Sequence, residues 1–186
     1  MDPEIKTRRF EQTIMPHLDA AYNLARWLTR NDSDAQDVVQ DAYLRAFKYF
    51  DSFEGENPSA WLLAIVRNTC FTWMRRNRPS EEVLGSEPID DEKANDAEPI
   101  LGGGSRGLAT DPETLLIEGR DRTQVNDLVS KLPAEFREVV VLREIEDLSY
   151  REIADVVGIP IGTVMSRLSR ARKLLHDAWY RQQAKA

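Results

Sequence analysis

The sequence predicts an all-α protein of two small helical domains, an N-terminal helical bundle and a C-terminal helix-turn-helix, joined by a flexible acidic linker. Three observations predict it. Apolar residues recur at three- and four-residue spacing on both sides of the middle of the chain. No segment alternates convincingly at period two, and Asn-Gly turn pairs are absent. The charge is also unevenly divided. Residues 1–76 hold 10 basic and 11 acidic side chains, residues 77–118 hold 3 and 11, and residues 119–186 hold 12 and 10. The formal net charge of -7 therefore sits in the middle, and the flanks are near neutral. Local patches, not the overall charge, must be read for partners. The expected boundaries are 1–77, 78–118 and 119–186.

Composition narrows the function classes. The chain has 186 residues, 41% hydrophobic and 31% charged, as soluble globular proteins do. No apolar run approaches the roughly 20 residues that cross a bilayer, so no membrane insertion is expected. "MDPEIKTRRF" has no apolar stretch after its charges and does not read as a signal peptide, so a cytoplasmic location is expected. One cysteine, Cys70, excludes an internal disulfide, and with only two histidines beside it no zinc site is expected. His17 and His176 stand alone, with no paired carboxylate or cysteine motif beside them. No enzyme activity, cofactor or metal is expected.

The elements follow in order. A first helix is expected over about Phe10 to Arg30. "NDSDAQDVVQDAYLRAFKYF" opens with a capping box, Ser33 with Gln36 three residues on. Val39, Ala42, Tyr43, Ala46 and Phe50 then make one buried stripe. "PSAWLLAIVRNTCFTWMRR" is a third helix: Pro58 suits its first turn, Arg75 and Arg76 its end. Residues 78–118 are rich in Gly, Pro, Ser, Asp and Glu and cannot bury enough surface to offset their ordering entropy. Three helices come after. Pro133 begins "PAEFREVVVLREIE"; "LSYREIADVVG" carries a second capping box, Ser149 with Glu152, and stops at Gly158; "IGTVMSRLSRARKLL" is the last.

The final pair has the spacing of a helix-turn-helix. Ile153, Ala154 and Val157 form the apolar face of its first helix. Val164, Leu168, Ala171 and Leu175 form that of the second, which leaves Thr163, Ser166, Arg167, Arg170 and Lys173 facing outward. From Gly158 to Leu175 the chain holds Arg167, Arg170, Arg172 and Lys173 and no acid. Phosphates repel carboxylates, and arginine bridges O6 and N7 of guanine in the major groove, so this surface fits DNA. Thr and Ser hydroxyls suit phosphates or base edges. On the third helix Trp61, Asn68, Thr72 and Arg75 share a face that combines a ring, an amide, a hydroxyl and a cation. That set suits stacking on exposed bases, though Trp on a helix equally anchors it to a core.

Three segments, "DAQDVVQDAYLRAF", "WLLAIVRNTCFTWMRR" and "LPAEFREVVVLREIEDLSYREIADVVGIPIGTVMSRLSRARKLL", resemble in order the sigma-70 family, in the pattern of its small extracytoplasmic-function (ECF) group. The resemblance implies an alternative sigma factor that directs RNA polymerase core to −35 and −10 promoter elements. It implies that Asp34, Asp37, Gln40, Asp41 and Arg45 face the clamp helices of the largest polymerase subunit. Phe53, Glu54, Gly55, Glu56 and Asn57 would capture a flipped base of the −10 element, with Trp61, Arg67, Asn68, Arg75 and Arg76 behind them. Thr163, Ser166, Arg167, Arg170, Arg172 and Lys173 would read the −35 element, and Arg151 would touch backbone. The group also implies an anti-sigma factor that holds the protein inactive, and a stress or envelope-response regulon.

Two other readings remain open at this point. A helix-turn-helix repressor or activator would dimerise through the N-terminal bundle and bind a palindrome without polymerase. A sigma mimic would bind an anti-sigma protein and no DNA, but such mimics carry a receiver domain and lose the basic residues that this last helix keeps. The acidic linker is also a candidate for repelling DNA in the free protein.

Overall fold

A proline decides where the first helix stops. The computed structural model describes residues 2–78 and 122–185. Helix α1 spans Pro3–Thr13, capped by the Asp2 side chain, which accepts from the Glu4 amide at 3.0 Å. The single helix expected over Phe10 to Arg30 is thus two. Pro16 lacks an amide hydrogen and crowds the residue before it. The chain turns through a short 3-10 segment, Met15–His17, and restarts as α2, Leu18–Thr29. Phe10 from α1 stands edge-on to Phe47 and Phe50, with ring centroids 5.2 and 5.3 Å away.

Helix α3 spans Asp32–Tyr49 and starts earlier than its sequence signal. Its cap is Asn31, whose side chain accepts from the Asp34 amide at 3.0 Å. The box expected at Ser33 and Gln36 therefore lies inside the first turn. An extended residue with a good acceptor stood two positions upstream and satisfied the free amide first. The expected stripe is buried at Val39, Ala42, Ala46 and Phe50, and Tyr43 is half-buried. Helix α4, Pro58–Asn77, is capped by Asn57 and buries Leu62, Leu63, Val66, Cys70, Phe71 and Met74. Arg78 ties its end down, donating to the Thr29 carbonyl and to Asp34, each at 2.9 Å. Of the residues read as a linker, 79–118 lie outside the described residues.

The second half opens with a helix that the sequence pattern does not announce, α5 over 122–130. Over these described residues Val125, Leu128 and Val129 are the apolar set, too few to declare a period. Leu128 and Val129 are buried. Helix α6, Ala134–Val140, follows Pro133 and widens into a π turn, Val141–Ile145. Helix α7, Tyr150–Val157, has the complete expected capping box: the Ser149 amide donates to Glu152 at 2.7 Å and the Glu152 amide to Ser149 at 3.2 Å. Gly158 ends it with φ 77, the left-handed turn that glycine adopts without penalty. Helix α8 then runs Ile161–Gln183, with Val164, Leu168 and Ala171 buried and Leu175 half-buried.

The two helical modules pack on one another. Helix α4 lies against α7, and α2 against α6. One apolar cluster runs unbroken from Phe10 in α1 to Ala171 in α8. No described helix is long and apolar enough to cross a membrane.

Candidate nucleic-acid interface

The basic helix divides into an outer and an inner set. The apolar face of α8 turns into the core, so Arg170 and Lys173 stand exposed, as spacing requires. Thr163 and Ser166 are half-buried near the helix start, and the Ser166 hydroxyl donates to the Thr163 carbonyl at 3.1 Å. Arg172 bends back to Glu144 at 2.9 Å. Arg167 departs furthest from the expected outward position. Its side chain is only 16% exposed and lies 3.7 Å from Glu138 and 4.0 Å from Glu135, both on α6. Its Nε is buried without a hydrogen-bond partner. Ile161 and Met165 are exposed on the first turns of α8 beside these polar groups. Sequence reasoning passed over them because it weighed only polar residues. Apolar side chains on a groove-reading helix suit the thymine methyl group.

The α4 face and the loop before it form the second set. The loop Glu54, Gly55 and Glu56 is exposed, with both carboxylates in solvent. Phe53 stacks on Phe50 at 6.3 Å and leans on Trp61 at 5.0 Å. A Cβ on Gly55 would stand 3.1 Å from the Phe53 ring, so this loop closes tightly over an aromatic floor. Trp61 belongs to that floor and packs against the core, the anchoring role the sequence left open. Asn57 caps α4 through its oxygen, on the Ala60 amide at 3.0 Å, and donates through its nitrogen to Glu152 of α7 at 2.6 Å. Arg67 makes a two-pronged pair with Glu138, at 2.8 and 3.1 Å, lies over the Phe71 ring at 4.2 Å and reaches Asn68 at 3.3 Å. Arg75 and Arg76 are exposed at the C-terminal end of α4.

Glu138 is fully buried, and removal from water pushes its carboxyl up, against the pull of Arg67 and Arg167. Burial likewise pushes the Cys70 thiol up to about 12.

The third set lies on α3. Asp37, Gln40, Asp41 and Arg45 are exposed, and Arg45 pairs with Asp41 at 3.0 Å. Asp34 is half-buried and held by Arg78. Leu44 is exposed among them, with two-thirds of its surface in solvent, and Phe47 is partly so. An exposed leucine on a polar helix face breaks the amphipathic pattern, and that break is the signal that periodicity alone overlooks. Among the described residues, no group of histidine, cysteine or carboxylate side chains could hold a metal ion.

Comparison with known proteins shows the family. Residues 13–79 match the family described as sigma-70 region 2, and residues 122–175 match sigma-70 region 4. The chain is 34% identical over 159 residues to the ECF RNA polymerase sigma-E factor of Haemophilus influenzae, covering 83% of this chain and 78% of that one. It is 35% identical over 147 residues to the sigma-E factor of Escherichia coli K12, covering 77% and 73%. Among solved structures it resembles the sigma factor RpoE of Bartonella quintana, crystallised with the anti-sigma factor NepR. That match has a TM-score of 0.64 and 28% identity, and covers 91% of this chain and 96% of the other. CnrH, solved in complex with the cytosolic domain of CnrY, gives a TM-score of 0.60 at 26% identity, covering 93% and 88%.

Proposed function

Because the chain belongs to the extracytoplasmic-function group of the sigma-70 family, we propose that it carries RNA polymerase core to promoters through three separate surfaces. Residues 1–77 form the polymerase and −10 unit, residues 119–186 the −35 unit, and 78–118 the tether between them. Asp37, Gln40, Asp41 and Arg45 on α3, with Asp34 at the edge, meet the clamp helices, and Leu44 adds the apolar centre that polar contacts alone lack. Arg170 and Lys173, with Thr163, Ser166, Arg167 and Arg172, read the −35 element from α8. The loop Phe53–Asn57 and the α4 residues Trp61, Arg67, Asn68, Arg75 and Arg76 take the −10 element and trap an unstacked base. Unstacking costs on the order of a few kcal/mol per base, so the trap favours melted DNA.

The observation that carries this reading is the acid-free basic stretch Gly158–Leu175, which supplies the turn and the first four turns of the second helix of a capped helix-turn-helix, in a chain of otherwise acidic balance. Sigma factors are initiation factors and do no bond chemistry, in keeping with the exposed polar surfaces used here. Relatives of this fold were solved with NepR and with the cytosolic domain of CnrY bound, which supports an anti-sigma partner for this chain as well. We take the location as cytoplasmic and the regulon as a stress or envelope response, a reading that the likeness to sigma-E factors supports.

Run-off transcription with bacterial core polymerase, pure protein and a library of upstream fragments tests the reading. Start sites that depend on the added protein are expected, and their aligned upstream DNA gives both elements. Replacing Arg170 and Lys173 together by Ala weakens promoter binding about tenfold or more, at roughly 1–3 kcal/mol per good base contact. If both side chains meet phosphate instead, the slope of log affinity against log salt becomes shallower by about 0.9 for each phosphate no longer neutralised. Binding to a palindrome with no transcripts would overturn the sigma reading in favour of a repressor.

A further inference from the structure

Both arginine-bearing DNA faces meet one buried carboxylate. Glu138 lies in α6 with no exposed surface. Arg67 comes to it from α4, across 71 residues of chain, and Arg167 comes from α8. Glu135 stands one turn back on α6 and faces Arg167 as well. The side chains of Arg67 and Arg167 are only 20% and 16% exposed. Three further links join the same two modules. Asn57 donates to Glu152, Arg137 to the Leu28 carbonyl at 3.3 Å, and Arg30 to the Ser130 carbonyl at 3.4 Å. The first of these docks the base-capturing loop on the N-terminus of α7.

We propose that Glu138 is an intramolecular latch: in the free protein it holds Arg67 and Arg167 together across the two modules, so the chain covers part of its own DNA-reading surface until promoter DNA or polymerase opens it. The chemistry fits a latch. A carboxylate gripped by the two prongs of a guanidinium occupies the place that a phosphate oxygen pair takes in a nucleic-acid complex. DNA phosphates and Glu138 therefore compete for one cation. The desolvation cost of a buried ion pair offsets most of its Coulomb gain, so the contact specifies a closed arrangement without holding it irreversibly. Opening also parts the apolar contact between α4 and α7, so the latch biases the closed arrangement and does not by itself hold it. Closure rests on geometry alone. The consequence for DNA rests on the proposed roles of Arg67 and Arg167.

The experiment uses the full-length protein with Glu138→Gln, which keeps shape and hydrogen-bonding capacity and removes the charge. Dyes are placed on cysteines introduced at Glu11 and Gln183, both exposed. Cys70 is buried, with its thiol pushed up to about 12, and stays unlabelled. Helical circular dichroism confirms folding. Arg67→Gln breaks the same pair from the other side and is read by energy transfer alone, because Arg67 is itself a proposed DNA contact. Both variants are expected to lower energy transfer between the dyes. Glu138→Gln is expected to bind a promoter fragment about tenfold more tightly, as when a binding-competent form of roughly one-tenth population becomes the dominant one. Unchanged energy transfer in both variants would overturn the latch. Lower transfer with unchanged DNA affinity would overturn self-occlusion. Failure of the sigma reading is separately visible, as absence of transcripts from the wild-type protein with core polymerase, and it leaves the energy-transfer result intact.

Discussion

Cys70 shows how burial decides what a side chain can do. The residue lies inside α4 with no exposed surface. Burial pushes its thiol from 9.0 up to about 12, the nearby Glu138 charge adds to that, and Arg67 opposes it. At pH 8 the thiolate fraction falls about a thousandfold relative to an exposed thiol, and the thiolate is the reactive form. Iodoacetamide is therefore expected to modify the native protein at least about a hundredfold more slowly than the urea-unfolded chain. Comparable rates would mean that α4 opens often, and would return Cys70 to consideration as an oxidation sensor. Arg167 makes the same point for a charged group. The helical period sets it three residues after Val164 and four before Ala171, at the edge of the buried face rather than opposite it, so the outward placement expected from sequence does not hold. Period alone carries no information about which other helix covers the remaining surface. Glu135 and Glu138 do so here, and neither is near Arg167 in sequence.

At the scale of elements, local chemistry was legible and competition between local signals was not. Ser149, Glu152 and Gly158 specify α7 at both ends within a dozen residues, and the structure reproduces all three roles. At α3 two capping candidates stood close together, and Asn31 won over Ser33 because it lies upstream with extended backbone. Between α1 and α2, apolar residues continue on both sides of Pro16, so the pattern read as one helix although the proline alone breaks it. Helix α5 escaped notice because Val125, Leu128 and Val129 alone are too few apolar positions to declare a period. The turn at Gly158 yields a quantitative expectation. Nothing lies within 4 Å of where its Cβ would stand, so a substitution there meets no clash. Its φ of 77 is the whole cost. Gly158→Ala is expected to lower stability by roughly 1–2 kcal/mol, the penalty of a left-handed residue with a Cβ. Gly158→Asn is expected to cost less, since asparagine tolerates that region. Urea unfolding of the full chain checks both, and a cost near zero would show that the turn relaxes out of the left-handed conformation.

At the scale of the whole molecule, the two sequence-defined modules share one interior, and that sharing has a thermodynamic signature. Two all-α modules were legible from periodicity, but their packing on each other was not. It depends on Asn57, Arg67 and Arg137 meeting partners 71 to 109 residues away. Because the apolar cluster is continuous from α1 to α8, loss of one module removes packing from the other. The wild-type chain is expected to unfold in urea in a single transition, with circular dichroism and tryptophan fluorescence coinciding. The two probes weigh the halves differently. Trp27, Trp61 and Trp73 lie in the first module and Trp179 alone in α8, whereas the helical signal comes from both. Breaking the pair at Glu138 weakens the coupling while leaving each module its own core. In Glu138→Gln the fluorescence midpoint is therefore expected to separate from the circular dichroism midpoint. Non-coincident transitions already in the wild type would mean that the modules fold as independent units. Coincident transitions in the variant would mean that apolar contacts between α4 and α7, rather than the ionic latch, hold the modules together.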